Sequence, residues 1–583
     1  MTLETLDLPD GIYRGATEYS SKGRWYDCNL VRFRDTVKAP VGGWRTRSPA
    51  AVTGIARALH TWGDDNSKDW IGVGTHSHLY IQNRQGANID ITPHGFTPGR
   101  PDAINGGGWG TGSWGTGTWG TRRRDVKGIL PANVWSLDNW GENLVAIFDS
   151  GTAPFEWTPA ATNAALQITG TAQGGTADTV QLAAGASSAN GTYDGYYVVI
   201  TGGTGKSGES RLIWDYVGST RTATVNADWS ITPDNTTTYE IRLAGAIANA
   251  PIGTALCVTD ERHLMLIGAY ISAIDPLTSK PYGGGPRRIA WSDEENNANW
   301  DFANTSSEAG FLDLKSKSEL MAIMTVRGGI LVLSRTEAFF VTYRGTEFVY
   351  GYDRVGENCG IVGRKAYAVI NGVAYWRGVN GFYSFDGVVN PLKCDVWEYF
   401  KASANPTQQS KFWGCGNSSF DEVWWFDCDN VNNEINRYFY MNIKDGHWSN
   451  GILSRTAGDD VGVFSDPLMI SPAGQIYEHE TGLNYDGALP YIESGPLEIG
   501  QGDTTMTIDQ WMPDERQSGE VVLTLKGKFW PEDPEFTLDV INVTTPQTFI
   551  FNCRQVKARF TGVPGDDFRV GAMRFNWKGR GKR

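Results

Sequence analysis

AVINGVAYWRGVNGFYSFDG, residues 368–387, is a short run of strand formers, a glycine-bearing turn and a second run that ends in aromatics at Asp386–Gly387. β-Branched and aromatic residues favour a pleated strand, and glycine supplies the tight reversal between two of them. The same form recurs along the chain, at 56–82 (ARALHTWGDDNSKDWIGVGTHSHLYIQ), 133–157, 255–270 with 287–301, 324–343 and 419–449. A further unit at 463–482 completes or follows the set. Strand-only repeats of ~40–50 residues predict β-propeller blades, because one small sheet cannot bury both of its faces and a ring of them can. A set of stacked sandwiches is the other reading of the same pattern.

Composition agrees with an all-β class. The chain has 583 residues, with 71 Gly, 23 Trp, 24 Phe and 23 Tyr. Charged residues make up 20%, below the usual ~25%. Long helices are disfavoured, since each glycine costs ~1 kcal/mol inside one. A net charge of −14 gives no free-standing affinity for nucleic acid. No apolar run is long enough to span a bilayer, and the first residues, MTLETLDLPDGIYRG, lack the basic and apolar regions of a secretory signal. Seven scattered cysteines, with no C-x-x-C pair, predict a reduced assembly environment with neither a disulfide framework nor a zinc site.

Two segments depart from the repeat. Residues 165–243 are poor in Trp and rich in Gly, Thr and Ala, which predicts a small β-module inserted in a blade loop. Residues 490–583 carry alternating runs (VVLTLKGKFW, QTFIFNCRQVKARF) that predict a terminal β-sandwich platform. The organisation expected is therefore an N-terminal segment 1–50 that joins the platform, first blades over 51–164, the insert, further blades over 244–489, and the platform. Within the insert, TGGTGKSG looks like a phosphate-binding loop. Ile200 stands where that motif needs glycine, however, and ESRLIWDYV follows as a strand, not a helix. Lys206 and Ser207 are thus expected in a hairpin loop between Tyr197–Thr201 and Arg211–Val217.

Trp109, Trp114 and Trp119 recur every five residues in GGGWGTGSWGTGTWGT, each followed by glycine. A looped segment with indole anchors is expected, packed on the propeller or on a neighbouring subunit. Arg122, Arg123 and Arg124 follow it, as an anion site or as solubilising charge.

With these stretches in order, the chain resembles the tail nozzle (tail tube or hub) proteins of short-tailed bacteriophages. The resemblance lies in NLVRFRDTVKAPVGGW (29–44), the Gly/Trp repeat (106–121) and VWSLDNWGENLVA (134–146). It continues in residues 358–387, 454–482 and YIESGPLEIGQGDTTMTIDQWMPDE (491–515). Residues 193–229 separately resemble a small β-module of phage tail and fibre proteins. The resemblance implies a structural virion protein without enzymatic activity or cofactor. It implies a homohexameric ring below the portal and adaptor, assembled in the bacterial cytoplasm and continuing the DNA-ejection channel, with tail fibres or spikes docked around it and the host surface beyond. A receptor-binding or glycan-degrading tail protein, and a cellular propeller scaffold, are the alternatives.

Candidate chemistry is sparse. His76 and His78, two apart on an expected strand, share a face, but no third metal ligand stands nearby. Glu478 and Glu480 share a face that His479 opposes. Asp293, Glu294 and Glu295 closely follow a tryptophan, and a glycosidase could use paired carboxylates near such an aromatic platform, yet three acids at a turn are ordinarily solvated. From Phe551 onward nine basic residues, including Arg574, Lys578, Arg580, Lys582 and Arg583, stand against two acids, a net +7. That end suits a solubilising tail, a seat on an acidic face of the adaptor or a neighbouring copy, or contact with DNA.

Overall fold

The computed structural model describes residues 3–15, 17–34, 37–47, 50–84, 86–105, 128–345, 348–499, 502–514, 518–540 and 545–581. Its described residues are almost all strand, turn and loop, with one α-helix, Trp397–Ser403. Seven four-stranded antiparallel sheets form a closed β-propeller. In chain order the blades occupy 56–90, 135–157 with 244–246, 255–313, 320–357, 367–392, 413–452, and 457–479 with 44–46. Except at the junction of the fourth and fifth blades, the first strand of each blade lies innermost against the first strand of the next, and Ala457–Asp459 meets Ala56–Gly63 to complete the ring. Between the fourth and fifth blades, Arg327 N donates to the Gly372 carbonyl at 2.9 Å and the Tyr367 hydroxyl to the Ile323 carbonyl at 3.4 Å.

Blades packed on both faces explain why their middle strands are continuously apolar instead of alternating. Leu264–Ile267 and the run from Ile330 to Leu333 are buried throughout. Tryptophans wedge between blades and satisfy their N–H on a neighbour's backbone. Trp135 of the second blade donates to the Thr75 carbonyl of the first at 2.7 Å, and Trp62 of the first donates to Glu142 at 2.9 Å. Gly74 is required beside Trp135, because a Cβ there would overlap the indole.

The last blade takes its outermost strand, Trp44–Thr46, from the start of the chain. These residues therefore do not join the platform, whose sheets take only Leu3–Leu6 and Trp25–Asn29 from the described part of the first fifty. Arg45 and Arg47 both pair with Glu478, and the Trp44 indole donates to Asp486 at 2.6 Å.

The platform is a sandwich of two sheets, one of four strands and one of five. Leu3–Leu6 pairs with Met573–Gly581 in the first sheet, and Trp25–Asn29 pairs with Tyr491–Ser494 in the second. Trp25, Trp511, Phe560 and Phe575 fill the space between them.

The insert is a seven-stranded sheet that leaves the second blade after Trp157 and returns at Ala244, between that blade's third and outermost strands. Tyr197–Gly202 and Ser210–Val217 are antiparallel neighbours, with Lys206 exposed in the hairpin loop between them. That geometry presents no helix N-terminus to a phosphate.

Candidate functional site: the propeller axis and the platform edge

The innermost strands converge on the ring axis, and two cavities lie along it. One, of about 250 Å³, is walled by residues from five blades, including Leu137, Lys365, Tyr367, Trp413 and Asp459. The other, of about 290 Å³, lies where several innermost strands begin, among Asp149, Met321, Arg364 and Gln409. A void of only about 10 Å³ beside Arg364, Lys365 and Tyr367 lies between them. That is room for roughly one water.

Most cations around this axis are paired. Arg57 forms a fork on Glu434 at 2.8 and 2.9 Å and donates to the Pro101 carbonyl. Arg364 stands 3.5 Å from Asp149 and donates to the Met321 carbonyl at 3.0 Å. Burial holds the Asp149 carboxyl above its usual range, and Arg364 opposes that shift. Lys411 is enclosed by Asp102, Glu434 and the Asn433 carbonyl. Lys365 differs: it is half-buried, lines the cavity, and its ammonium, which stands over the Tyr367 ring at 6.0 Å, has no hydrogen bond or ion pair among the described residues. Burial lowers its pKa to about 8, and Asp138 and Asp459 counteract only part of that. Asp459 accepts the Thr61 N–H and hydroxyl, both at 2.8 Å, and burial raises its pKa.

The histidines singled out in the sequence lie elsewhere. His76 and His78 are not on a strand: Asp69–Thr75 ends before them, Leu79–Asn83 begins after them, and they occupy the turn. His76 Nδ1 accepts the Ile55 N–H at 3.0 Å, while His78 bonds Ser77 and stacks on Tyr80. Glu478 is taken by Arg45 and Arg47, Glu480 by Arg32 and Asn417, and His479 is buried between Trp44 and Arg455. Asp293 accepts from Glu308 N and Asn299, whereas Glu294 and Glu295 are exposed at a turn. No cluster of three His, Cys, Asp or Glu among the described residues could hold a metal ion. No helix of the described residues is long and apolar enough to cross a membrane. All seven cysteines are free thiols, six of them buried.

Trp109, Trp114, Trp119, Arg122, Arg123, Arg124, Lys582 and Arg583 lie outside the described residues. Arg574, Lys578 and Arg580 sit on Met573–Gly581, an inner strand of the platform between Leu3–Leu6 and Thr505–Met512, and so are no free tail. Arg574 donates to the Pro513 carbonyl at 2.9 Å, Lys578 pairs with Asp509, and Arg580 is exposed.

The sequence reading missed the platform's open edge. Phe536–Val540 and Gln547–Cys553 are edge strands of the two platform sheets, brought together where Phe536 meets Phe551 at 5.2 Å. Around them Trp530 is 58% and Ile550 71% exposed, with Phe529 and Phe536 also exposed. Unpaired edges with apolar side chains are templates for association.

No protein-family model matches the chain, and no curated protein matches it. Among solved structures, virginiamycin B lyase from Staphylococcus aureus aligns at 8% identity and a TM-score of 0.37, covering 75% of this chain and 98% of that one. An exo-β-1,3-galactanase from Phanerochaete chrysosporium aligns at 8% identity and TM-score 0.25, over 92% of this chain and all of that one. Trypanosoma rangeli sialidase does so at 8% and 0.25, over 93% and 96%. At such scores no activity, substrate or site residue passes from those enzymes to this chain.

Proposed function

We propose that this protein is a ring-forming structural component of a phage tail, a nozzle that continues the DNA-ejection channel below portal and adaptor. One observation carries the reading beyond the sequence resemblance. Both ends of the chain combine into a platform, packed against the fifth and sixth blades, whose edge leaves Ile550 exposed on a strand and Trp530 exposed on the loop before Phe536–Val540. A monomer gains nothing from such an edge, whereas copies arranged head to tail around an axis would cover it repeatedly. Cavities of about 250 and 290 Å³ along the propeller axis are far too small for a DNA duplex, so in this reading the lumen lies between copies. A lumen dominated by acids from a chain of net −14 would repel the phosphate backbone and let DNA slide, where a basic lumen would hold it. Adaptor, fibres and host surface are the partners this role requires, and the virion tail is its location.

The test is electron microscopy with native mass measurement on the purified chain. Rings with a central hole are expected, and Trp530→Asp with Ile550→Asp is expected to yield monomers with intact blades. A fibrous trimer would favour the receptor-binding reading instead, and a persistent monomer at high concentration a lone scaffold propeller.

A further inference from the structure

The larger puzzle within the propeller is Lys365. An ammonium out of bulk water is expensive unless paired, and the neighbouring cations Arg57, Arg364 and Lys411 all have carboxylate partners. Lys365 instead borders a cavity of about 250 Å³. A dry cavity of ~150 Å³ already admits benzene, so this one has room for a small organic molecule. Its walls are mixed: Leu137, Tyr367 and Trp413 supply apolar surface, and Trp413 is held flat against Phe426 at 4.2 Å. The Trp413 N–H is already used on the Arg455 carbonyl, so the ring offers a face and not a donor.

We propose that the axial cavity binds a small organic monocarboxylate, its carboxylate paired with the Lys365 ammonium and its apolar body against Leu137, Tyr367 and Trp413. Charge selects the class. A single ammonium without an ion-pair partner matches a single negative charge, while Asp138 and Asp459, which both act on Lys365, repel any anion and repel a dianion such as phosphate about twice as strongly as a monocarboxylate. The site does not depend on ring formation and stands or falls separately from the nozzle reading.

The pH dependence is specific. The groups facing Lys365 are Asp138, Asp459, Asp460, His60, Arg57, Tyr367 and Cys415. Burial pushes the Tyr367 phenol and the Cys415 thiol above their usual ranges, away from the window in which the lysine deprotonates. Only the ammonium attracts a carboxylate, so affinity holds below a pKa of about 8 and falls above it. From pH ~7 to ~9.5 the competent fraction drops to about one thirtieth, and apparent affinity with it.

Titration calorimetry of the full chain with benzoate and with inorganic phosphate tests the site. One benzoate per chain is expected, weakened about thirtyfold at pH ~9.5 and at least tenfold in Lys365→Met, with phosphate silent. Absence of benzoate binding up to about 10 mM, equal binding by Lys365→Met, or equal binding of phosphate would overturn the proposal. Should Lys365→Met fail to fold, the wild-type pH profile decides alone, and a flat one refutes the site.

Discussion

Arg32 is the cation on which the junction of the N-terminal segment with the last two blades turns. It donates to buried Glu422 at 2.6 and 2.9 Å, to Glu480 at 2.7 and 3.2 Å, and stacks on Phe420. Arg32→Met keeps the apolar stem and removes the charge, leaving two carboxylates near one another, Glu422 with no exposed surface. Breaking one side of a buried ion pair costs about 3–5 kcal/mol. At roughly 2 °C per kcal/mol for a large cooperative unit, the expected drop in melting temperature is about 5–10 °C. The loss has a predictable pH dependence. Burial already holds the Glu422 pKa above its usual value, and Arg32 is the largest influence opposing it. Without Arg32 the folded-state pKa climbs further above the unfolded value of ~4.3. The folded state then binds the proton more tightly than the unfolded one, so stability declines as pH rises between the two pKa values. The variant's deficit should therefore be larger at pH ~7.5 than at pH ~5. Adding Glu422→Gln removes the stranded charge, retains an acceptor for the Trp424 indole, and should recover at least half the loss. Thermal unfolding followed by tryptophan fluorescence, with hydrogen exchange on Glu422–Asp427, reads both effects. A deficit below about 1 kcal/mol, one indifferent to pH, or no recovery in the double variant would refute the reasoning.

Replacing residues 165–243 by a short Gly-Ser linker should leave a folded propeller, because the strands Phe155–Trp157 and Ala244–Ala246 still pair. Buried Glu156 would lose the Tyr197 hydroxyl but keep Asn143 and Asn297 at 3.0 Å each, so a melting temperature lower by a few degrees is expected by calorimetry and insoluble product is not. At the basic end, truncation after Asn576 should unfold the platform, since it removes half of an inner strand. Charge reversal at Arg580, Lys582 and Arg583 is the cleaner probe: incorporation into tails that carry portal and adaptor should weaken and become less salt-sensitive, and indifference to both would exclude a docking role.

Much of the fold was legible because blades announce themselves locally. Apolar strands such as LMLI and ILVL stand between glycine or aspartate turns, and the insert's hairpin could be told from a phosphate loop by Ile200 alone. The outermost strand of the last blade was not legible. Trp44–Thr46 is three residues long, shows no periodicity, and is a strand only because Tyr477–His479 lies beside it. His76 and His78 were misplaced by one strand boundary, since Thr75 caps the turn through its own hydroxyl, accepting the His78 N–H at 2.9 Å. Lys365 carried no signal at all in GRKAYAV. Its environment is made by Asp138 and Asp459, far away in sequence and adjacent only through the ring.

That ring has a beginning and an end in time as well as in space. The Trp44 indole waits for Asp486, 442 residues further along the chain. At ~5–20 residues per second of synthesis the wait is about 20–90 s. Five blades can pair from neighbouring strands as they emerge, the second waits for its outermost strand until the insert has been made, and the seventh closes last. Until then the N-terminal segment has only its own hairpin of Val31–Arg34 with Val37–Pro40, and Trp25, Trp44 and Arg32 all lack their burial sites. Closure of the propeller and assembly of the platform are thus late, coupled events, and a chain stalled before them presents both an open blade and an open sheet to whatever holds nascent chains.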